Sequence, residues 1–312
     1  MAILLGVPCF ASSLSFHPYQ YLPTTTCVFR SHSSLKLCSF ENTNRRYGLI
    51  ARALLHDTIA SVAVFSGANV LVKSFDELTR REIINQTLSR KLVHILSGLL
   101  FAISWPIFST SPEARYFASL VPFANCVRLL INGLSLTKDE GLVKSVTRKG
   151  SPEELLRGPL YYVLILILCA IMFWRDSPVG LISLAMMCGG DGKPNHPQRI
   201  IQKLFSTTRL IAGIADIMGR KYGESKLPYN KDKSWAGSAS MLVFGFIISI
   251  GVLQYYAAMG YFELEWGSTM QRVAVVALIS TVVESLPTTH IIDDNISVPL
   301  VSILVAYVIF RT

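Results

Sequence analysis

Charged side chains are scarce in this chain: 16% of its 312 residues are Asp, Glu, Lys or Arg, against 51% hydrophobic. A water-facing globular surface needs more ionic groups than that, which excludes an ordinary soluble domain. Metal-type cysteine spacing is missing. The six cysteines (Cys9, Cys27, Cys38, Cys126, Cys169, Cys188) form no C-x-x-C pair and adjoin no His cluster, so they read as free thiols. The G-x-x-x-x-G-K-[ST] pattern is missing too, which excludes a soluble P-loop nucleotide site. So is the alternation of apolar and polar residues that a membrane β-barrel requires. The net charge of +9 forms no nucleic-acid patch. Residues 1–52 hold five basic side chains against Glu41, the segment Lys193–Gly213 holds four with no acid, and little charge is left elsewhere.

Acids are absent before Glu41, and that N-terminal stretch is rich in Ser and Thr, with arginines gathered toward Arg52. This is the composition of an organelle transit peptide, leaning toward plastid, with a processing site expected at Ile50–Ala53. The domain reading is therefore a transit peptide over 1–52 and a membrane domain over 53–312.

What the membrane domain has in abundance is apolar runs near the roughly 20 residues that cross a bilayer core. Candidate spans are Thr58–Phe75, Leu92–Thr110, Tyr116–Leu134, Pro159–Trp174, Ser177–Gly189, Ser238–Phe262, Arg272–Leu286 and Ile296–Phe310. Tyr and Trp sit near several of their ends, as interfacial anchors do. The fold expected is all-α: a polytopic helical membrane protein with six to eight transmembrane helices.

Polar chemistry gathers between and inside these runs. Asn125, Arg128 and Glu284 fall within apolar segments, where ionisable groups are costly and point to function or to structural pairing. Arg90-Lys91 with His94 opens the second run. The turn Asp293-Asp294-Asn295 is either a solvated turn or a group of oxygen ligands suited equally to Mg²⁺ or to general-base work. The densest stretch runs from Gly190-Asp191-Gly192 through Asp216, Gly219-Arg220 and Lys226 to Lys233. Its glycines admit close backbone approach to phosphate, its cations neutralise phosphate and its carboxylates hold Mg²⁺. Asp191 and Asp216 stand far apart as written. With Lys193–Gly213 removed they fall at i and i+4, one helix turn and about 6 Å apart, able to share a cation.

Several segments resemble the phytol kinase family of plants. They are Arg90–Leu99, Arg148-Lys149-Gly150 followed by Glu153–Tyr162, Lys233–Ser238, Glu284–Pro287 and Asp293–Leu300, in order from about Leu54 onward. The resemblance implies a polytopic plastid enzyme of the polyprenol kinase group that phosphorylates phytol with CTP for tocopherol synthesis, leaving UTP open as a donor. The run from Gly190-Asp191 to the Lys233-Ser234 pair is also similar to CDP-diacylglycerol synthases, which supports CTP. The roles implied are Mg²⁺ on Asp191 and Asp216, and nucleotide on Gly190, Gly192, Gly219, Arg220, Lys226 and Lys233. Asp293 or Asp294 is expected to activate the alcohol, with membrane lipid around the protein and no nucleic-acid partner. Farnesol or another prenol as acceptor, a lipid cytidylyltransferase and a transporter are the competing readings. Lys193–Gly213 departs from the family pattern, and its ends permit a retained intron.

Overall fold

The computed structural model describes residues 34–84, 86–137, 139–147, 151–189, 226–287 and 293–311. The chain divides into two compact units, Met1–Leu49 and Ile50–Thr312. In chain order the helices are α1 (Ser34–Arg80), α2 (Gln86–Ser104), α3 (Ala114–Gly133), α4 (Glu140–Val146), α5 (Gly158–Phe173) and α6 (Pro178–Gly189). After the undescribed residues come β1 (Lys226–Leu227), β2 (Asn230–Ser234), α7 (Trp235–Ala258), α8 (Trp266–Ser285) and α9 (Asp294–Arg311). The expected processing site at Ile50–Ala53 lies within α1.

Among the described residues, six helices are long and apolar enough to cross a membrane. They cover Ile50–Arg80, Ala114–Gly133, Pro152–Phe173, Gly237–Ala258, Trp266–Ser285 and Asp294–Arg311. Two of the runs read as spans from sequence form helices outside this set. α2 carries Arg90, Lys91 and His94 in its first half. α6 has only 12 residues, about 18 Å at 1.5 Å per residue, short of a hydrocarbon core of about 30 Å. α6 is instead the centre of the second unit: Leu181, Ile182, Leu184 and Met186 are fully buried, and it packs against α2, α5, α7, α8 and α9. A helix apolar on every side needs surroundings free of water, and here the neighbouring helices supply them.

The helices of the second unit run alternately between two ends. At one end Arg175, buried at the start of the α5–α6 connection, donates to the carbonyls of Phe108 (2.9 Å) and Ser109 (2.6 Å). There Asp57 accepts from the Ser109 amide and hydroxyl at 2.6 and 2.7 Å, which satisfies a carboxylate buried in α1. Tyr256 donates to the Ala102 carbonyl at the same end. The opposite end gathers the start of α2, the end of α3, the start of α5, the β-hairpin, the end of α8 and the start of α9.

The hairpin is an addition to the all-helical expectation. Leu227-Pro228-Tyr229-Asn230 closes an antiparallel pair in which Lys226 faces Ser234 and Leu227 faces Asn230. Proline at a turn's second position is a local signal that the long apolar runs on either side obscure. Asn230 fixes the hairpin to the end of α8 by donating to the carbonyls of Ser285 and Leu286, both at 3.1 Å.

Candidate functional site

A cavity of about 570 Å³ opens at the hairpin end, between α1, α2, α3 and α5. That volume lies within the roughly 300–1,000 Å³ of small-molecule sites. Polarity changes along it in one spatial direction on three of its walls. α2 contributes Arg90 and His94 at the opening, then Leu100 and Phe101 one to two turns deeper; α5 runs from Arg157 to Leu166 in the same sense. α3 runs the other way and shows the reverse order, Val121 to Arg128, while α1 is apolar along the cavity except for Asn69. Three walls, α2, α3 and α5, thus agree on a charged mouth and an apolar floor.

Local structure positions the mouth. The 3₁₀ turn Pro152–Leu156 leads to Arg157, which precedes the first turn of α5, with Pro159 where its missing N–H costs nothing. Gly158 permits a close approach: a Cβ there would stand 3.0 Å from Asn295 Nδ2 and 3.6 Å from Asp293 Oδ2. The α9 turn can therefore seat its carboxylate against the positive end of α5. Asp293 also caps its own helix, its Oδ1 accepting from the Asn295 amide at 2.9 Å and side chain at 2.8 Å. The wall is stiffened by Tyr162, which donates to the His94 carbonyl (2.9 Å), pairs with Ser97 Oγ and packs its ring 4.0 Å from that of His94. Arg128 is held by Asp139 at 2.6 Å, and that hydrogen bond keeps the Asp139 carboxyl below its ordinary pKa.

The sequence-predicted residues divide into three groups. Asp293 lines the cavity, with Asn295 beside it. Asp294 does not line it; it faces Lys233, whose ammonium bridges Asp294 Oδ2 (2.7 Å) and Glu284 Oε1. Lys233 is 7% exposed. Burial alone would lower its pKa, but the Glu284 and Asp294 carboxylates outweigh that and hold it above the usual lysine value. Lys226 lies on β1 and is exposed. Gly190, Asp191, Gly192, Asp216, Gly219 and Arg220, with the whole segment Lys193–Gly213, lie outside the described residues.

Sequence reasoning set Asp293 and Asp294 side by side as equivalent, and their side chains serve different neighbours. It singled out Glu284 as an intramembrane acid without its partner, because nothing in a linear sequence joins Glu284 to Lys233. Arg157 and Tyr162 stood within a family-like segment without a role; Arg157-Gly158-Pro159 at a helix start was the signal available.

The described residues place no group of three His, Cys, Asp or Glu side chains to hold a metal ion, and the Glu284–Asp294 pair already clasps an ammonium. One oxygen there, Asp294 Oδ1, is buried with no hydrogen-bond partner among the described residues.

No family model matches the chain, and no solved structure matches it. Among curated proteins it is 60% identical over 264 residues to a probable phytol kinase 1, chloroplastic, of Glycine max, covering 85% of this chain and 80% of that one. It is 58% identical over 258 residues to the phytol kinase 1, chloroplastic, of Arabidopsis thaliana, covering 83% and 78%. A probable phytol kinase, chloroplastic, of Zea mays is 52% identical over 260 residues, covering 83% and 79%. The polytopic helical architecture and this likeness over most of both chains agree: the chain belongs to the family of chloroplastic phytol kinases.

Proposed function

We propose that this protein transfers the γ-phosphoryl group of CTP to the primary hydroxyl of phytol, forming phytyl phosphate and CDP. The product would serve tocopherol synthesis and the salvage of phytol released from chlorophyll. The observation that carries the acceptor half is the polarity gradient: a charged mouth and an apolar floor on three walls, with a largely apolar fourth, fit a long apolar alcohol entered tail first. The alcohol oxygen bonds to the γ-phosphorus as the bond to the β,γ-bridging oxygen breaks, and the hydroxyl proton passes to Asp293. Arg90 and Arg157 at the mouth compensate charge on the transferring group. Positioning and charge neutralisation supply most of the rate in such reactions.

The donor half rests on the sequence. Asp191 and Asp216 would hold Mg²⁺, which lowers the charge of the triphosphate, and Gly190, Gly192, Gly219, Arg220 and Lys226 would cradle it. Connectivity supports a donor beside the acceptor. A Cβ on Gly98 would stand 2.7 Å from Cys188 Sγ, so the end of α6 abuts α2 behind the cavity wall, and the chain continues from Gly189 into Gly190 and Asp191. Lys233 can reach a phosphate only by leaving two carboxylates, so its part is to tie the end of α8 to the start of α9. Residues 1–52 would act as the plastid-targeting segment, a reading supported by their composition and by the chloroplastic relatives.

Membranes containing the protein, given phytol and CTP labelled at either the α or the γ position, test the reaction. Label from the γ position is expected in phytyl phosphate. Label from the α position in the lipid would mean a cytidylyltransferase, and no transfer to any prenol would reject a kinase.

A further inference from the structure

The cavity ends on an aromatic stack that the phosphoryl transfer does not use. Phe101, the deepest α2 residue on the cavity wall, is 4% exposed, and its ring meets Trp105 edge-on at 5.8 Å between centroids. Trp105 is fully buried and stacks on Trp174 at 5.1 Å, which in turn meets Phe108 at 6.1 Å. Behind that stack lies the cluster made by Arg175, whose guanidinium stands over the Trp174 and Tyr261 rings while donating to the Phe108 and Ser109 carbonyls. The floor is thus backed by groups already committed to one another, and a side chain pressed against it has nowhere to move. Aromatic packing of this density does not yield to an extra methylene without strain.

The depth is defined as well. Arg90 to Phe101 is eleven residues along one helix, about 16 Å at 1.5 Å per residue. The hydroxyl end is fixed at the mouth by the charged groups there, so the length of the tail must be met at the floor. Val64 of α1, Val121 of α3 and Leu166 of α5 line the apolar part of the same cavity with Phe101, and all three are buried.

We infer that Phe101, backed by Trp105 and Trp174, gauges the acceptor: it is the specificity-determining residue that sets how long a prenol the site accepts. This rests on the reading of the cavity as the prenol site. A hydrophobic floor discriminates by chain length because each added methylene beyond the fit changes the rate by about 10–200-fold.

The full chain and two variants test it, each offered an equimolar mixture of farnesol (C15), phytol (C20) and a C25 prenol. The ratio of phosphorylated products is read by mass spectrometry, with the melting-temperature shift caused by each alcohol as a readout that needs no turnover. Phe101→Ala opens the floor and is expected to raise the C25-to-phytol ratio at least about tenfold. Val64→Phe fills the apolar part of the cavity from α1 and is expected to shift preference toward farnesol by a similar factor, with the melting shifts following both rankings. Val64→Phe decides alone if Phe101→Ala fails to accumulate. Unchanged rankings, with phytol still phosphorylated, would overturn the gauge and leave the kinase reading intact. A wild-type chain that neither phosphorylates nor is stabilised by any of the three would overturn the cavity as a prenol site, and the gauge with it.

Discussion

Lys233 joins the β-hairpin to α8 and α9 through two carboxylates, Glu284 buried with it and Asp294 partly open to water. Removing one partner of such a cluster leaves the others charged and unmatched, which costs about 3–5 kcal/mol. Lys233→Met is therefore expected to lower thermal stability in detergent strongly, and Lys233→Met with Glu284→Gln to recover part of the loss. Additive losses in the double variant would show that the two side chains do not depend on one another. The pH dependence follows from the raised lysine pKa. A raised value means the ion pair's contribution is complete below the ordinary lysine pKa of 10.5 and is lost only as pH rises through the higher folded value. Melting temperatures of wild type and Lys233→Met should accordingly keep a constant gap from pH 7 to about pH 9.5; a gap closing within that range would contradict the pairing. At this scale the sequence was partly legible. Asp293, Asp294, Glu284 and Lys233 all stood out as charges in an apolar chain, because such charges are costly. Which charge meets which was not legible, since the pairs span more than fifty positions and depend on how α8 and the hairpin end together.

At the scale of elements, α2 approaches α5 and α6 through Gly98. A Cβ there would lie 2.7 Å from Cys188 Sγ and 2.8 Å from the Tyr162 hydroxyl, so alanine must displace that thiol and the hydroxyl that is hydrogen-bonded to the His94 carbonyl. Gly251 on α7 has nothing within 4 Å of the same position. Gly98→Ala is expected to destabilise by about 1–3 kcal/mol and to reduce phytol kinase activity. Gly251→Ala should be neutral or stabilising by up to about 1 kcal/mol, as glycine is a poor helix former. Thermal unfolding of both variants in one detergent decides it; equal effects would mean the α2 contact is not tight. Helix positions were legible from apolar runs and interfacial aromatics, because a bilayer core imposes a length on each span. The six helices long and apolar enough to cross a membrane fall within the expected six to eight, and the two further runs, α2 and α6, differ from them by the charges of α2 and the short length of α6. The hairpin escaped notice because its two strands are too short to show alternation.

At the scale of the second unit as a whole, one end carries the cavity mouth, the hairpin and the start of α9, and the other is closed by the Asp57 and Arg175 clusters. Lys193–Gly213 interrupts what would otherwise be a one-turn spacing of Asp191 and Asp216. A displacement of about 1 Å can cost roughly 100-fold in rate. Deleting Lys193–Gly213 is therefore expected to raise phytyl phosphate formation at least about tenfold per unit of membrane protein, and equal rates would show a tolerated loop. The orientation of the acceptor is tested by photolabelling the full chain with two phytol analogues. One carries a diazirine at the tail end and the other a diazirine beside the hydroxyl, and the labelled peptides are identified by mass spectrometry. The tail probe should label around Phe101 and Leu166, and the hydroxyl-end probe around His94, Arg157 and Asp293. The opposite assignment, or labelling of the lipid-facing residues alone by both probes, would contradict a prenol seated in this cavity with its hydroxyl at the charged mouth.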